Sequence, residues 1–257
     1  MKEIRPITQS EAEEFLNLLC NVFDLDYARA HSIFFAEPLF DLRRKWALFD
    51  ATRIVSILTT VPLEFGWGRA IGIAGVATAR DRQGQGLARS LLDRVLIESE
   101  KVGEGAAMLF ARDTRLYERT GFRVLDDVVR GPILGRREEE VPIGLDYEAV
   151  RQTYDDWANA DANRLRRDEL RWKYWRWNLR VCTPFHDGYL CFEAGVVREL
   201  VISTPASEWI LPPETEWLGL GRLATKMGIQ LASPTLELHL MGYRVPSPPE
   251  MFMTDQF

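Results

Sequence analysis

The chain is poor in cysteine, histidine and lysine. Its 257 residues hold three cysteines, three histidines and five lysines. Cys20, Cys182 and Cys191, none of them in a C-x-x-C pair, are too few for a multi-bridge framework, which points to a reducing, cytoplasmic setting. No stretch approaches the roughly 20 apolar residues of a membrane helix, so no membrane partner is expected. The opening "MKEIRPITQSEAEEF" is charged from the start and lacks the apolar core of a signal peptide. Positive charge is short as well. A net charge of −6 and a pI near 5.3 argue against nucleic acid as the main partner. What remains, 46% hydrophobic and 27% charged, is the composition of an ordinary globular chain long enough for one or two domains.

Periodicity supplies the elements. Residues 2–7 alternate as a strand, and Ser10 with Glu13 has capping-box spacing ahead of a helix striped by Phe15, Leu16, Leu19 and Phe23. "YARAHSIFF" reads as a second helix, and "KWALFD", "RIVSILTTVPLEF" and "AIGIAGVAT" as three meandering strands. Residues 84–101 form the clearest helix, with Leu87, Leu91 and Val95 at four-residue spacing. "AAMLFA" is a buried strand, "TRLYERT" a short helix stopped at Gly121, and "FRVLDDVVRGPIL" completes a hairpin. The class is α+β: a mixed, mostly antiparallel sheet flanked by helices.

A charge run between proline and glycine flanks, residues 131–144, marks a boundary between domains at 1–135 and 136–257. The smaller α+β second domain should hold helices over 147–160 and 168–177, the hairpin "GYLCFEAGVVRELVIS" and a helical stretch near 217–227. In "LRWKYWRWNLR", Leu170, Tyr174 and Trp177 share one helical face. That predicts docking against the first half rather than a stacking platform for single-stranded nucleic acid.

The stretch "VATARDRQGQGLARSLL" carries the chemistry. Glycines at the opening of a helix invite a phosphate, since backbone N–H groups and the helix dipole favour an anion there. A nucleoside-triphosphate loop needs G-K-[ST], and this chain has Gly86-Leu87-Ala88. A dinucleotide fingerprint needs a third glycine where Arg89 stands and an acidic residue about 20 residues on. Neither fits. What is left is a "VAT" strand end followed by Gln83-x-x-Gly86-x-Ala88, with "LYERTGF" some 30 residues later.

This pair of motifs resembles the GNAT superfamily of acetyl-CoA-dependent N-acetyltransferases, over roughly residues 2–130. The resemblance implies that Gln83, Gly84, Gln85, Gly86, Leu87, Ala88 and Arg89 cradle the CoA pyrophosphate. Val76, Ala77 and Thr78 would pair with pantetheine as with an added strand, and Arg80, Arg82 and Arg89 lie within reach of the phosphates. It also implies Tyr117 as the acid that protonates the departing thiolate. Phe257 is a second catalytic candidate, through a terminal carboxylate acting as base, because "MFMTDQF" reads as tucked in. Glu64, Glu37, Asp26 and His31 are base candidates by location, each with a solvated or structural reading beside it. Cys20 sits on an apolar stripe and reads as core. The second half resembles the degenerate GNAT-like halves that wall the acceptor site in two-domain members, and it has no second Q-x-x-G-x-G/A. The expected activity is acetyl transfer to a small-molecule or peptide amine, without a metal. The alternative is a non-catalytic acyl-CoA-binding module that reads a partner protein.

Overall fold

The computed structural model describes residues 2–134, 136–137, 144, 146–178, 181–185, 188–202, 210–211 and 215–257. Strands β1 (Lys2–Pro6), β2 (Lys45–Asp50), β3 (Arg53–Phe65) and β4 (Gly68–Thr78) run as an antiparallel meander. Helix α3 (Leu87–Lys101) then carries the chain back to β5 (Ala106–Ala111), parallel to β4. Neighbouring residues of β3 point to opposite faces, and each face has its own helices. Ile57 packs with Phe15 and Leu16 of α1 (Ala12–Phe23) and Phe34 of α2 (Tyr27–Phe34), whereas Leu58 packs with Leu91, Leu92 and Val95 of α3.

Two helix starts differ from the sequence reading. The box that opens the first helical segment is Thr8 with Glu11, whose carboxylate accepts from the Thr8 N–H at 2.7 Å, because a short 3-10 turn (Gln9–Glu11) precedes α1. Helix α3 begins at Leu87 rather than 84, since Gly84 and Gly86 hold left-handed φ of +75° and +73°.

The larger correction concerns β6 (Arg123–Pro132), which does not pair with β5. Strand β14 (Thr235–Tyr243), from the end of the chain, lies between them and is antiparallel to both. Leu240 and Met241 on it are fully buried. A Cβ at Gly242 would stand 2.3 Å from the Leu125 side chain, so glycine is what lets the two strands approach there. Beyond β6 the sheet continues through β13 (Glu216–Leu220), β11 (Val196–Ile202), β10 (Gly188–Glu193) and β9 (Val181–Phe185). The short β8 (Leu165–Arg166) pairs with the end of β3, and β7 (Arg136–Arg137) pairs with β12 (Ile210–Leu211) apart from the main sheet. Twelve described strands thus form one mixed, mostly antiparallel sheet flanked by helices, as the composition of elements predicts. Half of the proposed boundary at 131–144 lies outside the described residues.

Helices α5 (Tyr147–Asn159) and α6 (Glu169–Trp177) fall where expected, but 217–227 is a strand, β13, followed by the short helix Gly221–Lys226. On α6 the buried face is Arg171, Trp172 and Trp175, not Leu170, Tyr174 and Trp177; Leu170 and Trp177 are exposed. The polar partners make the difference. Arg171 donates to the Pro62 carbonyl of β3 at 2.8 Å, so an arginine forms the dock between the halves. Cys182 and Cys191 are directly opposed on β9 and β10 and are joined as a disulfide. Strand pairing brings them together, which their spacing does not reveal. Among the described residues no helix is long and apolar enough to cross a membrane.

A buried ion cluster fixes the end of the chain. Arg167 and its two partners, Glu199 of β11 and Asp255, have side chains with no solvent exposure. Its guanidinium donates to Glu199 at 2.7 and 3.0 Å and to Asp255 at 2.6 and 3.0 Å, and lies 3.6 Å from the centre of the Tyr154 ring. Trp175, Tyr189 and Thr254 add hydrogen bonds to Glu199. Burial works to raise the Glu199 carboxyl, but the Arg167 charge and these hydrogen bonds overcome it and hold it low. Its stabilisation is therefore in place above the ordinary carboxylate range and is lost as pH falls through the lowered value. Arg167→Met should strand two buried carboxylates and cost about 3–5 kcal/mol in urea unfolding. The same test on the exposed Arg53–Asp81 pair should leave the midpoint where it is.

Candidate active site

Strands β4 and β5 pair only from Ala70–Ala106 to Ile73–Leu109 and then part. From Ala74 to Thr78 the β5-facing edge of β4 has no strand on it among the described residues. Gly75, second in this stretch, has φ +59° where the β3–β4 register slips, and a Cβ there would meet Leu19 of α1 at 3.1 Å. The slip is a β-bulge, and it bends β4 away from β5. Val76, Ala77 and Thr78 thus lie along an open slot, with a free row of backbone donors and acceptors.

At the end of the slot the chain turns through Arg80–Arg82 into the glycine loop. Gln83 donates to the Thr78 carbonyl at 3.2 Å and ties the loop to the strand end. Gln83, Gly84, Gln85 and Gly86 are all exposed. A Cβ at Gly84 or Gly86 would meet nothing within 4 Å, so these glycines are there for their left-handed backbone rather than for crowding. Gly86 takes the N-cap position of α3 without a side-chain cap, and the first turn carries no acidic residue. The first N–H groups of α3, at Leu87, Ala88 and Arg89, therefore face outward without a carboxylate to satisfy them. The three neighbouring arginines are less free. Arg80 pairs with Asp24 at 2.6 Å and Arg82 with Asp50 at 2.7 Å, while Arg89 stands 3.8 Å from Asp93.

Tyr117, on α4 (Arg115–Glu118), and Val76 pack on one apolar cluster that includes Ile71, Ile73, Leu109 and Phe122. The structure thus brings together the two motifs that sequence separates by some 30 residues. Burial, with the nearby Asp113 carboxylate, pushes the Tyr117 phenol above its ordinary value, so it keeps its proton at neutral pH. The carboxylate candidates scatter. Glu64 is exposed on β3 opposite Arg166, Asp26 caps α2 through the Arg29 N–H at 2.7 Å, and the His31 ring lies tilted against Phe35. Glu37 alone is substantially desolvated; burial raises its carboxyl and Lys45 partly offsets that. Cys20 is buried, and burial raises its thiol.

The feature that sequence reasoning places least well is the tail. Residues 251–255 are buried, and the Phe257 ring lies on Gly72, where a Cβ would stand 2.6 Å from its ring carbons. Gly72 is one pair before the strands part, and Phe110 of β5 contacts the same ring from 5.4 Å. Only "MFMTDQF" itself, apolar where a frayed end would be polar, hints at this in the sequence.

Several solved structures share the fold across both halves. A GCN5-related N-acetyltransferase from Anabaena variabilis superposes with a TM-score of 0.70 at 17% identity, covering 94% of this chain and 72% of that one. One from Kribbella flavida gives 0.71 at 18% identity, over 94% and 70%. Eis1 from Mycobacterium abscessus gives 0.62 at 15%, over 93% and 73%. No curated protein matches the sequence. Residues 3–125 match the family model described as an acetyltransferase (GNAT) domain, and that stretch holds the parted strands and the glycine loop.

Proposed function

We propose that this protein is an N-acetyltransferase that moves an acetyl group from acetyl-CoA to a primary amine by direct attack in a ternary complex. The observation that carries this reading is the slot between β4 and β5, which opens onto the uncapped N-terminus of α3. The outward amides from Gly84 to Arg89 suit a pyrophosphate, and the free edge of Val76, Ala77 and Thr78 suits the amide groups of pantetheine. A Val76 N–H aimed at the thioester oxygen would stabilise the oxyanion as the amine attacks. The C–N bond forms, the C–S bond breaks, and the thiolate takes the Tyr117 proton. The acceptor nitrogen must shed a proton, and a free carboxylate on Phe257, held at the parting point by the Arg167 cluster, is the base in this scheme. The second domain, from 136 on, walls the acceptor side and binds no CoA of its own.

Gly86→Glu tests the cofactor site. The left-handed φ costs a non-glycine residue about 1–2 kcal/mol, but the Cβ enters open space, so the fold should survive. The added carboxylate faces the phosphates. Thermal stabilisation by CoA should disappear in a folded variant, and a retained shift counts against the site.

Tyr117→Phe tests the acid. Because its phenol is raised rather than lowered, the wild type holds the proton throughout pH 7–9. The variant should therefore lose about 10²- to 10⁴-fold in kcat evenly across that range, with little change in acetyl-CoA affinity. A few residues appended after Phe257 test the base. They should cut turnover while CoA still stabilises the protein, and undiminished turnover removes Phe257 from the mechanism.

A further inference from the structure

A cleft of about 440 Å³ opens between α1 and α2, within the size range of small-ligand pockets. Its walls are apolar: Leu16 and Leu19 from α1, Leu25 from the connecting turn, Ala30, Ile33 and Phe34 from α2. Several large apolar side chains at this end of the molecule are exposed, with Phe23, Leu25 and Ile33 each more than 40% accessible. Apolar surface concentrated at the mouth of a cleft marks a place where something binds.

The cleft adjoins the reacting point. Leu19, on its inner wall, is the side chain that stands 3.1 Å from a Cβ at Gly75, the bulge where β4 leaves β5. Asp24 at its rim is paired with Arg80 of the cofactor loop.

Its polar groups are few and mostly committed. Asp24 holds Arg80, and Asp26 caps α2. Glu37 differs: among the described residues no cation comes within ion-pair distance of its carboxylate. The nearest charge, Lys45, is 3% exposed and lies over the Phe34 and Phe40 rings at 4.8 and 5.6 Å. Burial lowers the Lys45 ammonium and raises the Glu37 carboxyl, so neither is fully compensated by the other. Glu37 also acts on Tyr174, whose hydroxyl donates to the Gln256 carbonyl at 3.4 Å, which places this carboxylate toward the tail that crosses β4.

We propose that this cleft takes the acceptor, and that the acceptor is a primary monoamine on an apolar aliphatic or aromatic body, with its ammonium set against Glu37. The proposal rests on the acetyl-transfer reading and narrows its substrate class. One uncommitted carboxylate balances one ammonium. A polyamine would press a second cation against leucine and isoleucine walls and toward Arg29, where the further carboxylate, Asp26, already serves as the cap of α2.

The test compares hexylamine and phenethylamine with spermidine and a lysine-containing peptide, following thiol release from acetyl-CoA. The two monoamines should exceed the others by tenfold or more in kcat/KM. Glu37→Gln should raise KM for hexylamine at least tenfold with a smaller change in kcat, and Ile33→Arg, at the exposed mouth, should do the same. CoA should still stabilise both variants. Preference for spermidine or the peptide overturns the proposal, and so does an unchanged KM in both variants. If no amine is acetylated, calorimetry of hexylamine with the wild type and Glu37→Gln separates the two readings. Glu37-dependent binding keeps the cleft as an amine site and rejects acetyl transfer; absent or Glu37-independent binding overturns the cleft assignment.

Discussion

The structure depends on β14 lying between β5 and β6. Without it, β5 has a partner only along four residues of β4, and β6 loses the neighbour that covers most of its length. The strand that completes the first half therefore comes from the last quarter of the chain. Residues 1–135 are not a self-sufficient sheet, and the second half is a structural part of the first. The close approach at Gly242 and the burial of Leu240 and Met241 make the insertion a packed seam rather than an edge contact.

From that seam the order of events along the tail follows. After β14 the chain crosses the molecule, and Glu250 meets Arg164 and Lys226. Asp255 then locks onto Arg167, with Thr254 hydrogen-bonded to Glu199. A fully buried arginine and its two carboxylates together contribute little net stability compared with three well-packed apolar residues in their place, but the cluster tolerates no other arrangement. Specificity of position is what it supplies. Two residues beyond Asp255, the Phe257 ring rests on Gly72, at the place where β4 and β5 part. A tail anchored this close to the parting point has little freedom left, so whatever group it presents there is presented in one geometry.

Much of this was legible from local pattern. The bounds of β2, β3 and β5 coincide with the strand-like apolar runs, and the two chemical motifs flank one slot because strand–helix–strand order forces them there. The glycine loop was legible as a turn opening a helix, although its glycines serve backbone conformation rather than close packing. Long-range partners were not legible. Nothing near β6 announces that its neighbour is 110 residues away, and the buried face of α6 could not be read by hydrophobicity because an arginine occupies it. Hydrophobic periodicity assumes that polar residues seek water. Arg167 and Arg171 break the assumption because their carboxylate and carbonyl partners, Glu199, Asp255 and Pro62, come from other parts of the chain.

The same reasoning bears on how the two faces of the sheet divide the work. The α3 face holds Val76 and Tyr117 on one apolar cluster, which keeps the phenol desolvated and protonated. The α1–α2 cleft meets the bulge at Gly75, and the tail meets Gly72. The bulge reconciles these demands. It turns β4 away from β5, frees the strand edge, and brings the inner wall of the cleft against the point where the strand bends. Glycine suits position 75 twice over, for its positive φ and for the 3.1 Å approach of Leu19. A side chain there would fill the space between the cleft and the slot.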